Sequence, residues 1–323
     1  MFTKRIFLAS TIVAVMAVLV IAVSARNRED GAYPSLGLFH TLVPLTPASA
    51  SGFIPISVCS SCLTSPFGVN ERGLISGQYF DAGFTSHGFV KNGDSYITID
   101  PPDTFFTECG RTNNPGYTTC DYADADLGGI VHPFVRNPDG SLSIRPGFPG
   151  AVITFAVGIN QRGDIIGSHT DDPTGSTGWQ GYVMRGNDFI LAVNYPGATS
   201  TFALDMTEGG TIVGAFKTTT AGEEHGFMRT PDGQYTQIDV PGSIQTETYG
   251  INNSEDIVGR YRDTDGVDHG YLMRHGRVTT IDYVGPETYV WGVNSSGTVV
   301  GFSTDSPFGL STGGFELPRA RGK

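Results

Sequence analysis

The sequence predicts an all-β fold, a six-bladed β-propeller of four-stranded antiparallel blades, on three observations. The first is a phrase of the form His-Gly-aromatic, seen as His87-Gly88-Phe89, His132-Pro133-Phe134, Gln180-Gly181-Tyr182, His225-Gly226-Phe227, His269-Gly270-Tyr271 and Gly313-Gly314-Phe315, at steps of 45, 48, 45, 44 and 44 residues. A fixed period of this size belongs to solenoids and propellers. The second is that each period holds four short strand patterns separated by tight-turn sequences, the content of one propeller blade. The third is that the last repeat ends before its fourth strand, while a matching strand at residues 53–58 precedes the first. A parallel β-helix is the competing architecture, and the antiparallel hairpin turns weigh against it.

From the N-terminus, residues 1–25 read as a signal peptide. Lys4 and Arg5 precede an apolar run from Ile6 to Val23, followed by the small residues Ser24 and Ala25. Retention of this segment as an anchor is the alternative, because the run is at the lower edge of a membrane span. Residues 26–50 carry Pro34, Pro44 and Pro47, fall outside the repeat, and read as a flexible lead-in. The propeller then occupies 51–316, with a tail at 317–323. No second long apolar stretch follows, so the mature chain is expected to be a secreted or periplasmic monomer without a membrane span. Its net charge of −12, more acidic still once Lys4 and Arg5 are removed, argues against a nucleic-acid partner.

The 4 cysteines of an exported chain read as disulfides before metal ligands. Cys109 and Cys120 flank the turn Asn113-Asn114-Pro115-Gly116 symmetrically and would face each other across a hairpin. Cys59-Ser60-Ser61-Cys62 has redox spacing but lies between strands, without the helix N-terminus that depresses a thiol pKa, so a structural loop closure is expected.

Within a blade, strand A and strand B flank a tight turn, clearest at Thr246–Ile251, Asn252-Asn253-Ser254-Glu255 and Asp256–Tyr261. Copies occur at Gly68-Val69-Asn70, Gly158-Ile159-Asn160 and Gly292-Val293-Asn294, with Ala203-Leu204-Asp205 as a weaker one. The second repeat joins if one inserted residue is allowed, aligning Gly110, Asn113, Gly116 and Tyr122 with Gly250, Asn252, Glu255 and Tyr261. Strand C carries the His-Gly-aromatic phrase, and strand D follows turns such as Asn92-Gly93 and Pro231-Asp232-Gly233. If strand 53–58 completes the last sheet, the ring closes and exposes no end faces.

These phrases make the chain resemble the HAF-repeat family of exported bacterial proteins, named for a His-Ala-Phe phrase matched by His87-Gly88-Phe89, His132-Pro133-Phe134 and His225-Gly226-Phe227. The resemblance covers residues 53–315. It departs at the middle position, where Gly or Pro replaces Ala, and in blades three and six, which lack the histidine. It implies a repeat fold in an extracellular setting and no established reaction, so it supplies no catalytic residues.

The repeated histidines read as structural. Strand C begins with histidine and strand D ends with aspartate, so hairpin register sets His87 opposite Asp100, His225 opposite Asp239 and His269 opposite Asp282. Where histidine is lost the aspartate goes too: Gln180 faces Asn194, and Gly313 would face Ser57. His132, expected opposite Arg145, is the exception. Pairs that change together across a hairpin stabilise a sheet edge. The acidic stretches Asp263, Asp265, Asp268 and Asp121–Asp126 offer alternate oxygen ligands, which suits calcium, although neither continues to an EF-hand glutamate. No other cofactor is indicated, and no phosphate loop, nucleophile elbow or zinc-protease motif is present.

Function is then expected from the face where the B–C and D–A loops emerge, which holds Phe80, Phe84, Phe105, Phe106, Trp179, Tyr195, Tyr283 and Tyr289. Loops on a rigid scaffold are the usual place for recognition. The first reading is a non-enzymatic binding propeller for an extracellular glycan or protein, with Phe84, Phe105, Trp179, Tyr195, Tyr283 and Tyr289 as contacts. The alternative is a polysaccharide lyase or glycoside hydrolase at the channel mouth, drawing acids such as Asp103, Asp205, Glu247 or Glu287 from different blades.

Overall fold

A computed structural model describes residues 52–124, 131–220, 222–304 and 313–319. The expected signal peptide and lead-in lie outside the described residues, as does the end of the tail. Among the described residues the regular structure is entirely β, in a propeller arrangement. After β1 (Ile54–Ile56), the first sheet holds β2 (Leu63–Val69), β3 (Ile75–Phe80), β4 (Ser86–Asn92) and β5 (Ser95–Ile99). An eight-stranded sheet follows, built from β6 (Thr104–Thr112), β7 (Thr118–Asp124), β8 (Val131–Arg136) and β9 (Leu142–Ile144), then β10 (Ile153–Ile159), β11 (Asp164–Thr170), β12 (Gln180–Arg185) and β13 (Asp188–Val193). A single parallel pair, Ile153 with Val131, joins its two antiparallel halves. The next sheet is β14 (Ser200–Met206), β15 (Ile212–Lys217), β16 (His225–Arg229) and β17 (Tyr235–Ile238). The following one is β18 (Gln245–Ile251), β19 (Ile257–Arg262), β20 (Asp268–Arg274) and β21 (Arg277–Ile281). The last combines β22 (Glu287–Val293), β23 (Val299–Thr304) and β24 (Gly313–Leu317) with β1, whose Ile54, Pro55 and Ile56 pair antiparallel with Glu316, Phe315 and Gly314.

Every first strand carries one β-bulge near its end, which frees a residue from the ladder and re-aims it. The register skips Phe67, Val157, Leu204, Tyr249 and Trp291 in five of these strands. Those five residues share one hydrophobic cluster, in which Tyr249 stacks on Trp291 at 4.2 Å and Phe67 lies 5.0 Å from the same ring. Strands from distant parts of the chain thus meet through their bulged side chains. The residue after each bulge is glycine at Gly68, Gly158, Gly250 and Gly292, and backbone from another strand approaches it closely: an added Cβ at Gly250 would lie 2.6 Å from Trp291 O.

Two sequence alignments are corrected by this register. The bulge between Ala203 and Asp205 matches that between Ala156 and Gly158, so Asp205-Met206-Thr207 is the copy of Gly158-Ile159-Asn160, not Ala203-Leu204-Asp205. In β6 no inserted residue is needed: Arg111 takes the place of Gly250, and Gly110 takes the bulge. The two blades that lack the post-bulge glycine therefore put Arg111 and Asp205 there.

Hydrogen bonds stitch consecutive A–B turns together. Asn70 Nδ2 donates to Asn113 O at 3.0 Å, Asn113 Nδ2 to Asn160 O at 2.9 Å, Asn252 Nδ2 to Asn294 O at 2.9 Å, and Asn294 Nδ2 back to Asn70 O at 3.0 Å. One position on, the Glu71 and Asn114 backbone N–H groups donate to the side chains of Asn114 and Gln161, while Gln161 and Glu208 do the same to Glu208 and Asn253. Ser295 N donates to Glu71 Oε1 at 2.8 Å, which joins the last turn to the first. The fourth residue of these turns has positive φ, met by Gly73, Gly116, Gly163, Gly210 and Gly297 but by Glu255 in the fifth unit, at 60°. Both expected disulfides form, Cys59–Cys62 and Cys109–Cys120.

Candidate functional site

Each sheet ends in two faces, one bearing the B–C and D–A loops and the other the A–B and C–D turns. On the loop face the His–Asp pairs form as register requires. His87 Nδ1 lies 2.7 Å from Asp100 Oδ2, His225 Nδ1 2.9 Å from Asp239 Oδ1, and His269 Nδ1 2.9 Å from Asp282 Oδ1. A second carboxylate joins two of them: Asp81 Oδ2 at 3.6 Å from His87 Nε2, and Asp263 Oδ2 at 3.2 Å from His269 Nε2. Asp81 and Asp263 also accept backbone N–H groups of their own turns, so each histidine ties a B–C loop to the end of strand D. His132 departs from expectation by one residue. Phe134 pairs with Ile144 and Arg145 N donates to Pro133 O, so Pro133, and not His132, stands opposite Arg145.

Burial lowers the His269 pKa, but the hydrogen bonds it donates to the Asp282 and Asp263 carboxylates outweigh it and raise the imidazole above its ordinary value. A raised histidine stabilises the fold fully below about pH 6.5 and loses that contribution as pH rises through the folded value. His269→Gln is therefore expected to lower the melting temperature at pH 5.5 and to leave it nearly unchanged at pH 9; equal losses at both would refute the ion-paired reading.

The calcium assignment is corrected by the same loop. Asp268 is almost fully buried and its carboxylate accepts from Arg260 Nη1 at 2.5 Å and from Arg262 Nε and Nη2 at 2.9 and 2.8 Å. Asp263 is taken by its own turn and His269, and Asp265 is exposed. The three carboxylates do not converge, and among the described residues no cluster of potential ligands could hold a metal ion. Of the other acidic stretch, Asp126 and the Asp124 side chain fall outside the described residues.

The loop-face aromatics divide unevenly. Trp179, Tyr283, Tyr289, Phe106 and Phe80 are buried, and Trp179 Nε1 donates inward to Gly175 O at 2.8 Å. Tyr195 is half-buried and stacks on Phe216 at 3.6 Å, while Phe105 packs against the central cluster. Phe84 alone of the eight is well exposed, at 50%, on the Asp81–Thr85 turn with φ of 59°. The sequence reading expected about half of the eight to be exposed and the others to pack between blades, whereas all but Phe84 lie on or beside a strand and are at least half-buried.

Two of the acids expected at the channel, Glu247 and Asp205, are buried in ion pairs. Glu247 pairs with Arg260, which also binds Asp268, and Tyr249 Oη donates to Glu247 Oε2 at 2.7 Å. Tyr289 Oη reaches Asp268 Oδ2 at 3.0 Å and Glu287 Oε2 at 3.1 Å. Gln245 Nε2 bridges Glu224 and Glu247, and Lys217 Nζ lies 3.1 Å from Glu224. Burial pushes Glu247 well above the usual carboxylate range, whereas at Asp268 Arg260 and Arg262 overcome burial and hold the carboxyl below it. Asp103 sits on the surface with φ of 60°.

On the turn face, Arg111 reaches across the axis. Its Nη1 donates to Phe67 O at 2.9 Å, its Nη2 to Tyr249 O at 2.8 Å and Trp291 O at 2.7 Å, and Asp205 Oδ2 lies 3.2 Å away. One guanidinium thus links β2, β14, β18 and β22 to β6. Above it is a cavity of about 60 Å³ bordered by Asn70, Asn160 and Asn252, room for a few waters. A larger cleft of about 220 Å³ opens on this face between the turns of β2–β5 and β6–β9. Neither cavity lies where the sequence reading put recognition; their signal was the pair of non-glycine residues after the bulge and the blade-to-blade change of turn residues.

No protein-family model matches the chain, and no curated protein matches it in sequence. Solved structures share its fold. A putative TolB from Agrobacterium tumefaciens superposes with a TM-score of 0.50 at 13% identity, over 68% of this chain and 80% of that one. Virginiamycin B lyase from Staphylococcus aureus gives 0.45 at 12%, over 77% and 80%, and the fucose-recognising Aleuria aurantia lectin gives 0.44 at 14%, over 68% and 78%. At these identities the likeness concerns the fold alone.

Proposed function

We propose that the chain closes as a six-bladed propeller of the HAF-repeat kind and works outside the cytoplasm as a binding module for an extracellular glycan or protein, engaged through its loop face. The ring reading counts the eight-stranded sheet as two blades and is supported by β1 completing the last sheet and by the Asn294–Asn70 and Ser295–Glu71 hydrogen bonds. Two disulfides support an oxidising compartment. Among the described residues no helix is long and apolar enough to cross a membrane.

Phe84 carries the choice of face. A bulky residue held at positive φ is disfavoured, and this one presents half its surface to solvent beside the Asp81–His87–Asp100 group. An aromatic ring next to hydrogen-bonding groups suits a sugar face or a peptide side chain. The enzymatic alternative has less support, because Glu247 and Asp205 are buried against Arg260 and Arg111.

The test is a glycan array and a pull-down from culture supernatant, with and without Phe84→Ala, alongside a count of new chain ends on a polysaccharide panel. The expected result is a ligand whose affinity falls at least tenfold in the variant, with no new ends. New ends on any substrate would overturn the binding reading.

A further inference from the structure

The cleft of about 220 Å³ between the turns of β2–β5 and β6–β9 differs in its charge from the corresponding places in the third and fifth repeats. In the third repeat, the residue after the positive-φ glycine is Asp164, and it neutralises Arg185 at 2.6 Å. In the fifth, Asp256 follows Glu255 and holds Arg274 at 3.1 Å. The first and second repeats have Leu74 and Tyr117 at that position. Among the described residues Arg72 and Arg136, which line the cleft, form no ion pair; they donate to the backbone carbonyls of Asn114, at 3.1 Å, and Asn137, at 3.3 Å. A chain of net charge −12 thus keeps two guanidinium groups beside one cavity, Arg136 sharing its field with the exposed Asp139 of the adjoining turn without closing an ion pair on it.

The rest of the lining is mixed. Leu74, Val90 and Ile97 give an apolar wall, with Ile97 45% exposed at the mouth. Thr112 and Thr118 contribute buried hydroxyls 2.9 Å apart. The volume is below the roughly 300–1,000 Å³ of sites for drug-sized ligands, so the occupant is small. Guanidinium groups bind carboxylates by paired, charge-assisted hydrogen bonds. We infer that this cleft is a second binding site, on the turn face, for a single carboxylated sugar unit, a uronate: its carboxylate meets Arg72 and Arg136 and its C–H face lies against Leu74, Val90 and Ile97. This site does not depend on the loop-face reading.

Titration calorimetry of the full chain with glucuronate, with glucose and with benzoate tests it. Glucuronate is expected to bind one to one, and glucose and benzoate at least tenfold more weakly. The double substitution Arg72→Ala with Arg136→Ala, checked for native circular dichroism, should lower glucuronate affinity at least tenfold. Ile97→Asp, a mild change at an exposed position, should do the same by placing a competing carboxylate at the mouth. Phe84→Ala should leave this binding unchanged, so failure here and failure of the loop-face reading are separate results. Absence of glucuronate binding, equal binding of glucose or benzoate, or variants that retain wild-type affinity would each overturn the assignment.

Discussion

Arg111→Ala is expected to destabilise the protein by about 3–5 kcal/mol, the range for removing one partner of a buried ion pair. The side chain is almost fully buried and its two terminal nitrogens bond three carbonyls contributed by β2, β18 and β22, besides the Asp205 carboxylate on β14. Alanine would leave those acceptors without their donor in a site that the bulged aromatic residues make apolar. Burial already pushes the Asp205 carboxyl up, with Arg111 opposing that shift, so loss of the guanidinium would drive Asp205 towards its neutral form. Adding Asp205→Asn should therefore recover part of the loss, because the carboxylate charge disappears while the three carbonyls stay unmatched. Urea denaturation of the single and double variants measures both terms. If Arg111→Ala unfolds within 1 kcal/mol of the wild type (about the scatter of ordinary surface substitutions), the axial arginine is not a structural link.

The same residue marks where the sequence could and could not be read. The fold was legible because a four-strand unit repeats with its turn residues in fixed places, and His-to-Asp covariation within hairpins gave strand register without coordinates. His87, His225 and His269 pair as expected because cross-strand neighbours depend only on that local register. Errors arose where a bulge changes the count by one residue. Gly110 was aligned where Arg111 belongs and Asp205 was set two places off, and so the ion pair between them could not be anticipated. The aromatic face failed for a different reason: composition shows that a loop carries an aromatic, whereas burial depends on the twist of sheets from elsewhere in the chain, which buries Trp179 and Tyr289 and leaves Phe84 out. The turn-face cleft is legible only in retrospect, by comparing Leu74 and Tyr117 with Asp164 and Asp256, since a charge left without its partner is visible only against repeats that supply one.

Arg260→Ala should be at least as damaging as the loss of Arg111, by about 3–5 kcal/mol or more, and it discriminates a structural from a catalytic reading of the acidic cluster. Arg260 is 1% exposed and holds Glu247 on one side and Asp268 on the other, with Nε donating to Tyr249 Oη at 3.0 Å. Without it, Asp268 keeps Arg262 and Tyr289, whereas Glu247 keeps hydrogen bonds from Tyr249 and Gln245. Burial already raises the Glu247 pKa, so in the variant this carboxyl would take up a proton across the neutral range. A folded-state pKa raised above the unfolded value means stability lost as pH rises, and the variant's deficit should accordingly be larger at pH 8 than at pH 5. Glu247→Gln in the Arg260→Ala background should remove that extra pH dependence, because the glutamine has no proton to lose. Thermal melts of the four proteins at the two pH values read the cycle. A deficit that is the same at both, or that Glu247→Gln leaves pH-dependent, would show that Glu247 is not the group whose protonation Arg260 opposes.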